Sequence, residues 1–292
     1  MAALPLRTQT GKAGASSVGA LLDWARMRLA SRSGSSGLDA EVLLGFALDR
    51  PRSSLIGFPE RGVSAAETAR YRRLIERREA GVPVAYLTGR REFYSLPLTV
   101  SSATLVPRPE TELLVDKVLE RLPTDGRSVV LDAGSGCGAV ALAIKHRRPH
   151  CRMVAVECSA PALRVAVSNG VRLGLQVEWI RSHWFDALAN ACFDMIAANP
   201  PYVATGDESL VTGDLRHEPR LALDGGVDGL MSLRTIIAGT PRVLAPGGAL
   251  LLEHGCDQTL RVRNLMDRAG LQGLETHRDL AGHDRVTVGC LP

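Results

Sequence analysis

No apolar run in the 292 residues approaches the roughly 18–20 that a membrane span requires, so a membrane role is set aside. The six cysteines, at 137, 151, 158, 192, 256 and 290, include no C-x-x-C pair. That removes a zinc ribbon and a disulfide scaffold, and no metal is called for. Free thiols suit a reducing compartment, and a cytoplasmic location is expected. The first 20 residues lack a secretory apolar region. They also lack acids, as organellar transit peptides do, yet a tail without fixed structure over 1–17 is the better reading. Lysine is scarce, at 3 against 32 arginines. The formal net charge of +4 divides into +6 over residues 1–90 and −2 over the rest. A basic first third fits an acidic partner, but it also fits a solvated helical face.

What is present is ordinary for a two-domain globular chain, with 45% hydrophobic and 23% charged residues. Val18, Leu21, Leu22, Ala25 and Leu29 fall at helical spacing, as do Val42, Leu43, Phe46 and Ala47. Ser64 and Glu67 form a capping box opening a third helix that Gly81 and Pro83 close. Aromatic and β-branched residues with turn signals over 83–100 predict a hairpin. Beyond residue 109 the apolar runs 128–133, 152–157, 177–182, 193–198 and 249–255 alternate with amphipathic segments. This predicts an open, mostly parallel sheet with helices on both faces. The expected division is a helical domain over 18–82, a hairpin linker over 83–108 and an α/β domain over 109–292.

The first α/β unit carries 130-VLDAGSGCGAVALAIKHRRP-149. Gly134, Gly136 and Gly138 let the chain turn tightly from strand to helix and approach a ligand closely. Dinucleotide enzymes use similar turns, so the glycines alone leave NAD and S-adenosylmethionine both open. Asp132 sits where a pyrophosphate would be repelled and a cation welcomed. Glu157, ending the next strand, can accept two ribose hydroxyls or simply serve as a helix-start acid beside Ser159. Together the two acids favour S-adenosylmethionine. Trp184 is a candidate to pack on adenine, whereas Phe185 reads as core.

The strand FDMIAA runs into Asn199-Pro200-Pro201-Tyr202. Two prolines remove two donors and fix φ, so the turn is stiff. It is either a strand terminator or a clamp for a group that donates hydrogen bonds. As a clamp, Asn199 Oδ1 and the Pro200 carbonyl would accept both N–H bonds of a planar amine or amide. Tyr202 would pack on that plane and favour a nearby sulfonium.

With 86-YLTGRREFYSL-96, 106-VPRPETE-112, 217-HEPRLALDGGVDGL-230 and 251-LLEHG-255, these motifs resemble the release-factor glutamine methyltransferases, the HemK/PrmC family, from about residue 18 to the end. The resemblance implies a helical N-terminal domain that recognises release factors, a hairpin linker and a Rossmann-like class I methyltransferase domain. It implies methylation of the glutamine amide nitrogen in the Gly-Gly-Gln loop of peptide chain release factors. Gly134, Ser135, Gly136, Cys137, Gly138, Glu157, Trp184 and Asn199 would then line the S-adenosylmethionine site, and Asn199, Pro200, Pro201 and Tyr202 would hold the glutamine. Arg108, Thr111 and Glu112 would lie near the cofactor's amino-acid end, although Glu110 and Glu112 also suit an ordinary helix start. His183 stands where many relatives carry an acid that accepts from the adenine amino group. A neutral imidazole can still accept through one nitrogen. Cys137 and Cys158 read as small packing residues. The rival reading is a nucleic-acid methyltransferase acting on exocyclic amines. It would need base flipping and a recognition element, and no RNA-binding signature is present. The chain is expected to act as a monomer.

Overall fold

The computed structural model describes residues 16–124, 126–190 and 192–292. The tail expected over 1–17 therefore lies outside the described residues except for its last two. Two compact units divide the chain, one ending at Thr88 and one running Gly89–Pro292. No helix among the described residues is long and apolar enough to cross a membrane.

The first unit contains helices α1 (Val18–Leu29), α2 (Ser36–Leu48), α3 (Arg52–Gly57), α4 (Ala65–Glu79) and α5 (Val84–Thr88), with a short pair of strands β1 (Ser16–Ser17) and β2 (Gly62–Val63). All five expected residues of α1 are buried. In α2 the buried stripe is Ala40, Leu43, Leu44 and Ala47, while Val42 and Phe46 sit at its margin. Arg70 covers the exposed side of the Phe46 ring at 5.0 Å, so the aromatic edge is closed by a cation rather than by core. The capping box opens α4: Glu67 N–H donates to Ser64 Oγ at 3.3 Å, and Ser64 N–H donates to the Glu67 carboxylate at 3.0 Å. Behind it, Tyr71 is fully buried and its hydroxyl donates to Ala40 O at 3.0 Å. A buried ion pair joins α2 and α4, with Arg78 Nε 2.8 Å from Asp39 Oδ2.

Two short helices, α3 and α5, escape the sequence reading. Val84–Thr88, expected to begin a hairpin, is helical because Pro83 supplies a carbonyl that accepts from both Tyr86 and Leu87. A proline before a first turn has no N–H to leave unsatisfied and holds a helix-compatible φ.

The second unit opens on the hairpin β3 (Arg90–Phe93) and β4 (Leu96–Thr99). Tyr94 and Ser95 both adopt positive φ, of 51° and 62°, which matches a two-residue turn to the twist of its strands. Then follow α6 (Glu112–Arg121), β5 (Val129–Ala133), α7 (Ala139–Arg147), β6 (Arg152–Glu157), α8 (Ala160–Leu173), β7 (Glu178–Arg181), β8 (Phe193–Ala198), α9 (Met231–Val243), β9 (Leu244–Glu253), α10 (Thr259–Arg268), β10 (Gln272–Arg278) and β11 (Asp284–Cys290). The seven-stranded sheet has the order β10-β11-β9-β8-β5-β6-β7. Pairings from β7 through β9 are parallel, and β11 and β10 complete the edge antiparallel.

Side-chain alternation divides the sheet's faces. Leu131, Ala133, Val154, Val156, Ile196, Ala198, Leu250 and Leu252 join one core with Ile236, Val262 and Met266 from α9 and α10. The intervening residues, Asp132 and Glu253 among them, project from the opposite face. Buried Asn169 of α8 ties the hairpin to the sheet: its Nδ2 donates to Thr99 O and Cys137 O, and its Oδ1 accepts from Thr99 N–H.

Stability of the first unit should depend more on the buried pair than on the cap. Asp39→Ala removes the carboxylate facing the buried Arg78 Nε and should cost about 3 kcal/mol. Ser64→Ala, losing an N-cap, should cost about 1 kcal/mol. Urea unfolding of the full chain measures both; equal losses would contradict the burial argument.

Candidate functional site

After β7 the chain returns across the sheet to place β8 on the other side of β5. Loops leaving β5 and β8 therefore diverge, and the crevice of an open α/β sheet forms at that reversal. Residues that follow β5, β6, β7 and β8 line it together, the usual place for a ligand in an open α/β sheet.

The first wall is the glycine turn. Val156 O accepts from both Gly134 N–H and Ser135 N–H at 3.0 Å, pinning the turn to the neighbouring strand. Gly134 has φ +88°, and a Cβ there would stand 3.0 Å from the Trp184 ring. Gly136 has φ +56° and faces open space, so the cradle is a volume that a side chain would take from a ligand.

Two carboxylates form the floor. Glu157 is buried; its Oε2 accepts from Gly136 N–H at 2.9 Å and its Oε1 from Ser159 N–H at 2.8 Å. The Cys158 thiol also donates weakly to Oε1 at 3.6 Å, and a carboxylate with about four acceptor sites keeps room for an incoming hydroxyl. Asp132 accepts from Ala141 N–H at 3.0 Å. Burial pushes its pKa up to about 7, opposed by the Ala141 N–H and assisted by Glu157. Arg108 also lines the crevice, but its guanidinium is paired with Glu218. A phosphate would thus meet two acids and one committed cation. A ribose and a positively charged centre fit this chemistry, and S-adenosylmethionine has both. Gly134, Ser135, Gly136, Cys137, Glu157, Trp184 and Asn199 all line the crevice, while Gly138 starts α7 beneath it.

Trp184 adopts φ +45° with its ring over Gly134, whereas Phe185 is core, 4% exposed. His183 stays at the exposed rim, 5.9 Å from the Trp184 ring and 3.8 Å from Asp186 Oδ2. Burial pushes the Cys137 thiol up to about 12, and burial followed by the Glu157 charge raises Cys158. Neither is a thiolate at neutral pH, in keeping with packing roles.

Opposite the acids stands the turn after β8. Asn199 Nδ2 donates to Thr111 Oγ1 at 3.0 Å, which leaves Asn199 Oδ1 for the crevice that both residues line. Pro201 lines it as well, and Pro200 is buried. Tyr202 is placed differently from its expected stacking position. Its ring packs against the core and its hydroxyl donates to Glu253 Oε1 at 3.4 Å, so it supports the clamp from behind. Glu112 also departs, since its carboxylate accepts from Tyr94 N–H at 2.8 Å and braces the hairpin turn.

Residues 217–230 hold the clamp in place. Val203 N–H donates to Leu223 O and Gly225 N–H to Val203 O, while Gln258 Nε2 donates to Tyr202 O at 2.9 Å and Gly229 O at 3.2 Å. Glu218 accepts from Val106 N–H at 2.9 Å and from Arg108, clasping two motifs 110 residues apart. Glu218 and Glu253 stand within the motifs 217–230 and 251–255, where local pattern gives neither acid a partner. Their lone acidic character within apolar or proline-bounded runs was the available signal.

Comparison with known proteins agrees with this geometry. The PrmC N-terminal domain model matches residues 20–89 and the methyltransferase small domain model matches residues 109–227. A release factor glutamine methyltransferase from Xylella fastidiosa (strain Temecula1) is 48% identical over 87% of this chain and 93% of its own. Another from Pseudomonas aeruginosa is 47% identical over 88% and 93%. This chain belongs to the release factor glutamine methyltransferase family. A solved methyltransferase from Pyrococcus furiosus shares the fold, with a TM-score of 0.51 and 17% identity over 67% of this chain and 88% of that one. As in the family at large, the chemistry is methyl transfer from S-adenosylmethionine, and the crevice residues suit that cofactor.

Two expectations follow. Glu157→Ala should weaken S-adenosylmethionine binding by about 1–3 kcal/mol, the loss of charge-assisted hydrogen bonds; unchanged calorimetric affinity would remove Glu157 from the site. The second concerns Glu253, 1% exposed, whose pKa burial pushes up to about 7 against the Thr111 hydroxyl, Arg285 and the Tyr202 hydroxyl, with Glu110 adding to the rise. Unfolded, this carboxyl ionises near 4.5. Between those values the native state binds the extra proton, so stability falls as pH rises. Glu253→Gln should therefore be more stable than the parent by about 3 kcal/mol at about pH 8, with the gap closing below about pH 4.5. Chemical unfolding across pH checks it; a gap that grows on acidification would refute the sign.

Proposed function

We propose that this chain methylates the side-chain amide nitrogen of the glutamine in the Gly-Gly-Gln loop of peptide chain release factors. The observation that carries the reading is the orientation of Asn199. Its Nδ2 is committed to Thr111, so an acceptor oxygen faces a crevice whose opposite wall is a glycine cradle with an acidic floor.

An amide nitrogen is a poor nucleophile because its lone pair is delocalised. Asn199 Oδ1 and the Pro200 carbonyl accept its two N–H bonds, localise the lone pair and aim it along one direction. S-Adenosylmethionine supplies an electrophilic methyl group on a positive sulfur. Asp132 and Glu157 favour that charge in the ground state, and the stiff proline pair keeps the clamp from yielding. No base is needed first, since an amide N–H is too weak an acid to lose its proton before transfer. The positively charged N-methylated amide formed as the C–S bond breaks is a strong acid and releases a proton to water, leaving the neutral N-methylamide and the neutral thioether.

The unit ending at Thr88 is the part we assign to release-factor recognition. It exposes Met27, Ile56 and Phe58, at 73%, 62% and 56%, within the segment of net +6. Such apolar points in a basic surround suit an acidic protein partner. A release-factor substrate is the reason we propose a cytoplasmic location, and because one copy of the chain carries every candidate site residue we propose a monomer. Exocyclic amines of nucleic acid would fit the same clamp, and that is the alternative the assay must separate.

A release factor incubated with the enzyme and S-adenosylmethionine should gain about 14 Da on that glutamine, and Asn199→Ala should slow the transfer at least about 100-fold while retaining cofactor affinity. Mass spectrometry and single-turnover kinetics read both. Methylation of RNA or DNA instead, or a wild-type rate in Asn199→Ala, would overturn the proposal.

A further inference from the structure

The chain leaving the Asn-Pro-Pro-Tyr turn is paired with residues 223–226: Val203 N–H donates to Leu223 O, Gly225 N–H to Val203 O and Thr205 N–H to Gly226 O. The crevice wall beside this pairing is Pro201, Pro219, Leu221, Ala222 and Met231, an apolar rim next to the clamp. Asp224 lines the crevice too, but its carboxylate accepts the Thr205 hydroxyl at 2.6 Å and Gly226 N–H at 3.0 Å. Leu221 and Met231 stay 63% and 57% exposed. One exposed apolar side chain is unremarkable on any protein, whereas two held at the same opening mark a surface that something covers. Their backbone holds them there. Leu221 stands in the 3-10 turn Arg220–Ala222, closed by Ala222 N–H donating to Pro219 O at 2.9 Å. Met231 opens α9, and its N–H donates to Gly225 O at 2.8 Å. Gly226 has φ +86°, and a Cβ there would stand 3.0 Å from Met231 Cβ.

The reach of the target side chain says what covers it. An extended glutamine places its amide nitrogen only about 5 Å from its own Cα. With that nitrogen on Asn199, the main chain carrying it has to run along the mouth, against the rim. Residues with side chains would be held off by Leu221 and Met231. Glycine lets a backbone approach an apolar surface closely, and the pliable thioether of Met231 can follow its contour.

We propose that Leu221 and Met231 are specificity-determining residues that pack on the two glycines preceding the target glutamine. They admit a glutamine whose N-terminal neighbours lack side chains and hold off others. The clamp recognises the amide, and the rim recognises the chain that carries it. The inference rests on the reading of this protein as a release-factor methyltransferase, and it adds the residues that read the sequence beside the glutamine.

The test uses the full chain, S-adenosylmethionine and an intact release factor, with methylation followed by mass spectrometry. Leu221→Ser and Met231→Ser should each raise the KM for the release factor about tenfold, with kcat within about threefold of the parent and the cofactor dissociation constant unchanged. Val227 is 92% exposed in the same segment but does not line the crevice, so Val227→Ser should match the parent. A release factor with alanine in place of the glycine just before the glutamine should lose at least about 30-fold in kcat/KM with the parent enzyme. The double variant Leu221→Ala/Met231→Ala should narrow that penalty to about threefold. A parent-like KM in both serine variants, an equal KM rise in Val227→Ser, or a penalty that the double variant leaves whole would overturn the rim. So would a weakened cofactor constant with KM unchanged, which would assign both side chains to the cofactor wall. If the parent adds no methyl group to the release factor, the functional reading fails and the rim with it; if it does and the serine variants keep the parent KM, the rim alone fails.

Discussion

The reversal of strand order between β5 and β8 is the constraint on which the rest depends. Parallel strands need crossovers, and crossovers running in opposite directions from one central strand must part at its C-terminal end. The candidate site stands at that parting. The glycine turn leaves β5, Glu157 ends β6, and Asn199 follows β8. Glu253 ends β9, one strand further out. All of these residues lie in the unit Gly89–Pro292.

The acids at the strand ends are held against the preference of the fold. Burial pushes both Asp132 and Glu253 toward neutrality, and a carboxyl so placed weakens the native state wherever it must ionise. Apolar residues there would pack at lower cost. That acids occupy these positions is a physical argument for function, since strained or poorly satisfied groups persist where a site requires them.

How much of this could be read beforehand varied with where the information resides. β6 and β8 match the apolar runs 152–157 and 193–198 end to end, because a strand buried on both faces has to be continuously apolar. β10 was missed because QGLETHR alternates polar residues along an edge, and α5 was misread because Tyr86 and Val84 suit a strand as well as a helical turn. The glycines and prolines of the site were legible because backbone geometry demands those residue types locally. Arg108 was found, but its engagement by Glu218 depends on a contact spanning 110 residues, and Tyr202 was drawn to Glu253 across 51. No local pattern encodes such pairings.

That difference bears on what the motifs are for. The sequence segments that mark the family are not all ligand contacts. Glu218 holds Val106 and Arg108, Gln258 holds Tyr202 and Gly229, and Glu112 holds the hairpin turn. These bonds fix backbone and side-chain direction around the Asn-Pro-Pro-Tyr turn. A methyl transfer to a weak nucleophile depends on aiming a lone pair, and a small misplacement there is felt as rate before it is felt as binding. A site of that kind needs its supporting groups to be rigid more than it needs additional reactive ones. The proline pair supplies rigidity along the backbone, and Thr111 holds the Asn199 amide by accepting from its Nδ2.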